Sequence, residues 1–266
     1  MTKAERAHSE IGAIEKLAGE SSPVHCMSAL SKLFVTILYI AIVVSFNKYN
    51  FTGLVVMVIF PVIGYFTAGV PVSLCFRKLR IVMPIVCLLG IINPFLDRDI
   101  VMHIGTLAVS GGVISMLTLI MKGIFSLMMS FLLIATTRID ELCAGLRKIH
   151  IPKLLVTLFL LTYRYITVLL SEVAVMTEAY HLRSPGQRGI NVKAWGSFLG
   201  QLILRSSDRA GELYSSMILR GFSGEFYIAA DKKYHSLSWP AALITAALIV
   251  LARVFNITGA IGSLIV

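Results

Sequence analysis

Residues 108–137 are thirty consecutive positions that carry a single charge, Lys122. A helix needs about 20 apolar residues to cross a bilayer, and only structures that satisfy their own backbone hydrogen bonds can stay there. Four further apolar runs occupy 32–49, 51–70, 81–96 and 238–258. Transmembrane barrels are built from short alternating segments, not long unbroken runs. The chain is 57% hydrophobic and 14% charged, against roughly 25% charged in ordinary soluble domains. These features predict an all-α fold: a polytopic helical membrane protein with about five transmembrane helices. The third run is short and contains Pro84 and Pro94, which predicts a kinked or tilted helix.

Basic residues orient the chain. Arg77, Lys78 and Arg80 fall within four positions of the expected loop 71–80, and 138–235 holds 13 of the 24 Lys and Arg residues. Other connections are poorer: Lys48 alone, and Arg98 between Asp97 and Asp99. The positive-inside rule then places the N-terminus, the 71–80 loop and 138–235 in the cytoplasm. The net charge of +10 is accounted for by these loops, with no nucleic-acid partner. The expected organisation is a cytoplasmic N-terminal segment (1–31), four transmembrane helices (32–137), a cytoplasmic or interfacial insert (138–235), and a final transmembrane helix with the C-terminus (236–266). The first 30 residues lack a signal-peptide core, so an uncleaved cytoplasmic N-terminus is expected.

Segment 152–170 is almost as apolar as a span. A crossing there would carry Arg183 outward and demand another crossing through the charged stretch 188–235. A helix lying in or under the inner leaflet resolves the conflict, although a crossing stays open. Beyond it, Val192 to Arg220 reads as a long amphipathic helix: Trp195, Phe198, Leu199, Leu202 and Ile203 recur near helical spacing, while Arg205, Asp208, Arg209 and Glu212 take other sides. With a shorter helix near 139–149, the insert is expected to hold three helices.

The two long helices end alike, on Leu182-Arg183-Ser184 and Leu219-Arg220-Gly221, and Pro185, Gly186 and Gly224 follow. A helix stopped by proline or glycine holds its last side chains at a fixed place, and arginine offers a planar fork of donors to a carboxylate or carbonyl. A lone C-terminal arginine is explained by the helix dipole. Two, closing consecutive helices with the same apolar-Arg-small pattern, point to docking of a soluble partner.

Other chemistry is sparse. The sequence has no G-x-x-x-x-G-K-[ST] phosphate loop, H-E-x-x-H or G-x-S-x-G motif. Cys26, Cys75, Cys87 and Cys143 are scattered and read as small apolar residues. His103 near Asp97 and Asp99 could ligate a cation, but reads as a solvated loop. Met116, Met121, Met128 and Met129 read as adaptable packing rather than a soft-metal path. Lys122, a charge inside a span, is either functional, a snorkelling side chain or the mark of a misplaced span boundary. Arg164 is expected at the interface, paired with a carboxylate such as Glu172 or with carbonyls.

At these residues the chain resembles the transmembrane T component of energy-coupling factor transporters, most closely the cobalt-type CbiQ family. Leu204-Arg205-Ser206-Ser207-Asp208-Arg209-Ala210 with Met217-Ile218-Leu219-Arg220-Gly221-Phe222 is similar to one family signature. Ile151-Pro152, Tyr163-Arg164-Tyr165, Glu172, Glu178 and Leu182-Arg183-Ser184 are similar to the other. Ser22-Pro23-Val24-His25 before Lys32-Leu33, and Asn93-Pro94-Phe95, match weaker positions. Ser184 before Pro185 departs from the glycine or alanine commoner there.

The resemblance implies a non-catalytic scaffold, without cofactor or metal of its own, in the inner (plasma) membrane. Its three cytoplasmic helices would be coupling helices. Leu182, Arg183, Ser184, Leu219, Arg220 and Gly221 would dock into two ABC-type, CbiO-like ATPase subunits, supported by Arg164, Glu172, Arg205 and Arg209. A small CbiM-like membrane subunit, with or without a CbiN-like companion, would bind Co2+ or Ni2+. Alternatives are a T component serving a vitamin-specific subunit, a self-sufficient carrier, and an intramembrane enzyme built on Lys122, Asp97 and His103.

Overall fold

The computed structural model describes residues 3–20, 22–48, 51–96, 100–104, 107–187, 189–224 and 238–254. The chain divides into two units, Met1–Lys16 with Ile139–Asp231, and Leu17–Arg138 with Lys232–Val266. The helices among the described residues establish the all-α class.

The second unit holds α2 (Ala29–Val44), α3 (Phe51–Val56), α4 (Ile59–Ala68), α5 (Val72–Leu96), α6 (Gly111–Thr136) and α10 (Ser238–Val254). Each expected span is therefore a helix or a helix pair. Tyr39, Leu54, Met57, Tyr65, Phe125, Leu132, Ala242 and Ile249 are buried between them. Met128 and Met129 join this core, which accords with the packing reading of the methionines.

The structure corrects three local expectations. The run 51–70 is two helices, not one. Pro61 has no N–H for the carbonyl four residues earlier, Met57, and its ring crowds that carbonyl. The helix breaks at Met57, and Tyr39 Oη donates to the Met57 oxygen at 2.8 Å instead. Second, 71–80 is not a loop: α5 starts at Val72 and carries Arg77 in its first turns, because a helix can run on past its apolar part once charged side chains face solvent. Third, residues 100–110 contain a short antiparallel hairpin of β1 (Ile100–Ile104) and β2 (Leu107–Ser110), pairing Ile104 with Leu107 and Ile100 with Ser110. Asp97 and Asp99 of the His103 trio lie outside the described residues.

α5 and α6 form the most extensive helix pair of this unit. A Cβ on Gly123 would stand 3.0 Å from Val86 Cγ1, so glycine allows the backbones to approach, as small residues do at membrane helix interfaces. Asn93 Nδ2 also donates to Ser115 Oγ at 3.3 Å between the two helices.

The first unit comprises α1 (Lys3–Ala18, most of its length), α7 (Ile139–Lys148), α8 (Lys153–Arg183) and α9 (Val192–Leu219). α7 has Asp140 and Glu141 in its first turn and Arg147 and Lys148 in its last, the arrangement its dipole favours. His150 closes it with a φ of +64°, a left-handed conformation uncommon outside glycine. Pro152 then caps α8. Burial, reinforced by Asp140, pushes the Cys143 thiol up. The sulfur thus stays protonated and behaves as an apolar side chain.

Candidate functional site: the ends of two long helices

α8 is one continuous helix of 31 residues, about 46 Å long at 1.5 Å per residue. Its N-terminal half is the apolar segment 152–170 and its C-terminal half the polar one, joined without a break. Length and composition alone would let it cross a membrane. Only Val156 and Thr157 are buried. α9, with 28 residues, has none buried.

The α8–α9 turn is fixed by Tyr180. Its hydroxyl donates to Gln187 Oε1 at 2.9 Å and accepts from the Asn191 N–H at 3.3 Å. Asn191 in turn caps α9 by accepting from the Lys193 N–H at 3.1 Å. Between them the Ser184 N–H returns to the Tyr180 and His181 carbonyls, and Gly186 takes a φ of +91°. Pro185 follows the end of α8 as expected, and the turn is held by Tyr180.

α9 closes on a Schellman motif. The Phe222 N–H donates to Met217 O at 3.0 Å and the Gly221 N–H to Ile218 O at 2.9 Å, with Gly221 at a φ of +81°. These are the two bonds that define the motif, and its left-handed residue is normally glycine. Arg220 is thus the C-cap residue, on a backbone fixed from both sides.

Both predicted docking tripeptides face outward. Leu182 is 79% exposed and Leu219 88%; Arg183, Arg220 and Gly221 are exposed and Ser184 half-buried. At both ends an exposed arginine stands next to an exposed leucine, and arginine is among the side chains enriched at binding hot spots. The apolar face of α9 is also open, with Trp195, Leu199, Ile203, Tyr214 and Ile218 exposed.

The supporting residues are arranged differently from the sequence expectation. Glu172 pairs with Arg205 of α9, not with Arg164. Arg164 is exposed and makes no ion pair among the described residues. Glu172 and Arg205 share a cleft of about 300 Å3 with Ser206, Asp208, Arg209 and Glu212. The Glu172–Arg205 pair ties the middle of α8 to the middle of α9. Further along α8, Tyr163 Oη donates to Glu15 of α1 at 2.9 Å.

In the other unit, Lys122 reaches the end of α2, where its ammonium donates to Val44 O at 3.0 Å and Phe46 O at 2.5 Å. Arg253 of α10 donates to Ser45 O at 3.0 Å and lies over the Phe46 ring. Lys122 is therefore a helix cap, satisfying carbonyls that α2 leaves open. A comparable device holds the end of α6. Buried Lys32 donates to Thr136 O at 2.7 Å and His25 O at 3.3 Å. His25 receives the Ser22 hydroxyl at Nδ1, 2.7 Å, and gives Nε2–H to Leu17 O at 3.0 Å. Lys32 and His25 were visible in the sequence only as weaker family positions.

Long apolar helices beside an amphipathic helical unit define an all-α membrane protein. Residues 20–228 match the family model for the cobalt transport protein CbiQ, and the chain belongs to that family. It is 31% identical over 100 residues to the nickel permease LarQ of Lactiplantibacillus plantarum, covering 38% of this chain and 37% of the relative. It is 31% identical over 101 residues to the cobalt transport protein CbiQ of Rhodobacter capsulatus, covering 38% and 41%. The matched stretch thus spans about two fifths of each relative. The family assigns the chain to a transport subunit.

Proposed function

We propose that this chain is the transmembrane scaffold of an energy-coupling factor importer, passing ATP-driven motion of two ATPase subunits to a separate membrane subunit that carries Co2+ or Ni2+. The observation that carries this is the pair of outward-facing ends, Leu182-Arg183-Ser184 and Leu219-Arg220-Gly221, each on a backbone fixed by hydrogen bonds. A peg of set geometry loses little freedom on docking. The Glu172–Arg205 pair, with Arg209 beside it, would make α8 and α9 move as one lever; Arg164 would face the inner leaflet. The relatives named for cobalt and nickel support the cargo class. In this reading residues 1–31 and 138–235 are cytoplasmic, 32–137 and 236–266 carry the spans, and the complex sits in the plasma membrane. ATP would be hydrolysed on the partners.

The test is purification of the tagged chain from its own membranes in mild detergent, with mass spectrometry of the co-eluting proteins. Co-elution of an ABC ATPase and a small membrane protein is expected. A chain that elutes alone while the ATPases are expressed would contradict the proposal.

A further inference from the structure

We propose that a groove between α2 and α10 holds one acyl chain of an anionic phospholipid, whose phosphate sits against Arg253 and Lys122. α2 and α10 run parallel, since Arg253 in the last turn of α10 reaches Ser45 at the C-cap of α2. Between them lies a groove of about 610 Å3, lined by Phe34 and Leu38 on one side and Leu243, Ala247, Val250 and Val254 on the other. From Leu243 to Val254 a helix rises about 16 Å, close to half of a hydrocarbon layer about 30 Å thick. The groove therefore has the depth of one leaflet, and its lining is apolar throughout.

One end carries charge. Arg253 stands beside Val254, and Lys122 meets the same three-residue turn, Val44 to Phe46. The C-termini of α2 and α10 each contribute roughly half a negative charge, which offsets about half of the two cations. Among the described residues neither cation pairs with a carboxylate. Each also keeps donors beyond those bonds, because an ammonium has three and a guanidinium five. A phosphate at this end would complete the neutralisation through charge-assisted bonds, with its acyl chain continuing into the groove. A membrane partner's apolar helix would fit the groove but not the cationic end. The inference rests on the bilayer placement alone, not on the coupling role.

The experiment uses the full chain in mild detergent, delipidated and then given phosphatidylglycerol or phosphatidylcholine of the same acyl composition. Native mass spectrometry and thermal melting are the readouts. One retained phosphatidylglycerol and a melting temperature raised above that with phosphatidylcholine are expected. Arg253→Gln keeps an N–H for Ser45 O and should lower phosphatidylglycerol affinity about tenfold. Ala247→Phe fills the groove from its exposed side and should abolish retention while leaving the lipid-free melting temperature unchanged. Equal retention of the two lipids, or undiminished retention by Ala247→Phe, would overturn the proposal. The second result would leave the groove to a partner helix or to residues 255–266.

Discussion

Arg205 of α9 pairs with Glu172 of α8 across 33 residues of sequence. The side chains are 47% and 27% exposed, so water screens the pair and its stability is worth no more than about 1 kcal/mol. Its value lies in geometry, since α9 buries no residue of its own. Glu172→Gln and Arg205→Gln should each shift the melting temperature by no more than a few degrees, yet lower metal uptake per ATP hydrolysed several-fold. The exchanged pair Glu172→Arg with Arg205→Glu should recover part of the coupling. Uptake and ATPase assays on the same reconstituted complexes check this.

Gly221 bears a side-chain-free left-handed turn. A β-branched residue at its φ of +81° would cost about 1–2 kcal/mol and re-aim Arg220. Gly221→Val is expected to reduce ATPase retention on a tagged chain at least as much as Arg220→Ala, although no charge is lost. Gly224→Val, with a φ of +94° but outside the docking tripeptide, is the control and should retain the ATPase.

Tyr39 substitutes for the donor that Pro61 lacks. Tyr39→Phe leaves the Met57 carbonyl buried without that bond and should cost about 1–3 kcal/mol. The cost should shrink in a Pro61→Ala background, where the new N–H can reach the same carbonyl. A double-mutant cycle on thermal unfolding measures the coupling.

His25 gives the fold a pH dependence. Burial holds its pKa below the ordinary histidine value of 6.5, the Lys32 ammonium acts the same way, and the Leu17 carbonyl opposes them. A depressed histidine favours the neutral folded form. Its contribution is therefore complete above about pH 6.5 and lost as pH falls from there towards the folded value. Melting temperature should drop between pH 7 and pH 5.5, and less so in His25→Gln. Lys32→Met should destabilise at every pH, because Thr136 O loses its charged donor.

The apolar runs made the helices of the second unit legible, and the proline and glycine stops marked the ends of α8 and α9 to within a residue. Glu172 and Arg205 were each singled out, but periodicity along one helix cannot say which partner on the next is opposite, so Glu172 was matched with Arg164. The basic cluster at Arg77–Arg80 read as a loop because charge marks the edge of a membrane, not the end of a helix. Lys122 and Arg253 cap α2 from 76 and 208 residues away, a relation only the fold creates. The break at Met57 was implicit in Pro61, yet the residue that compensates for it, Tyr39, lies in another helix.

The most direct test replaces Arg183 and Arg220 together by glutamate in the tagged chain. ATPase recovery and uptake of radiolabelled cobalt or nickel are then measured beside the unchanged chain. Reversing a charge at an interfacial pair costs several kcal/mol. The ATPases should therefore be lost from the purified chain and uptake should fall to background, while the membrane level of the chain stays the same. Full ATPase recovery with undiminished uptake would contradict the assignment of these two helix ends as the coupling surface.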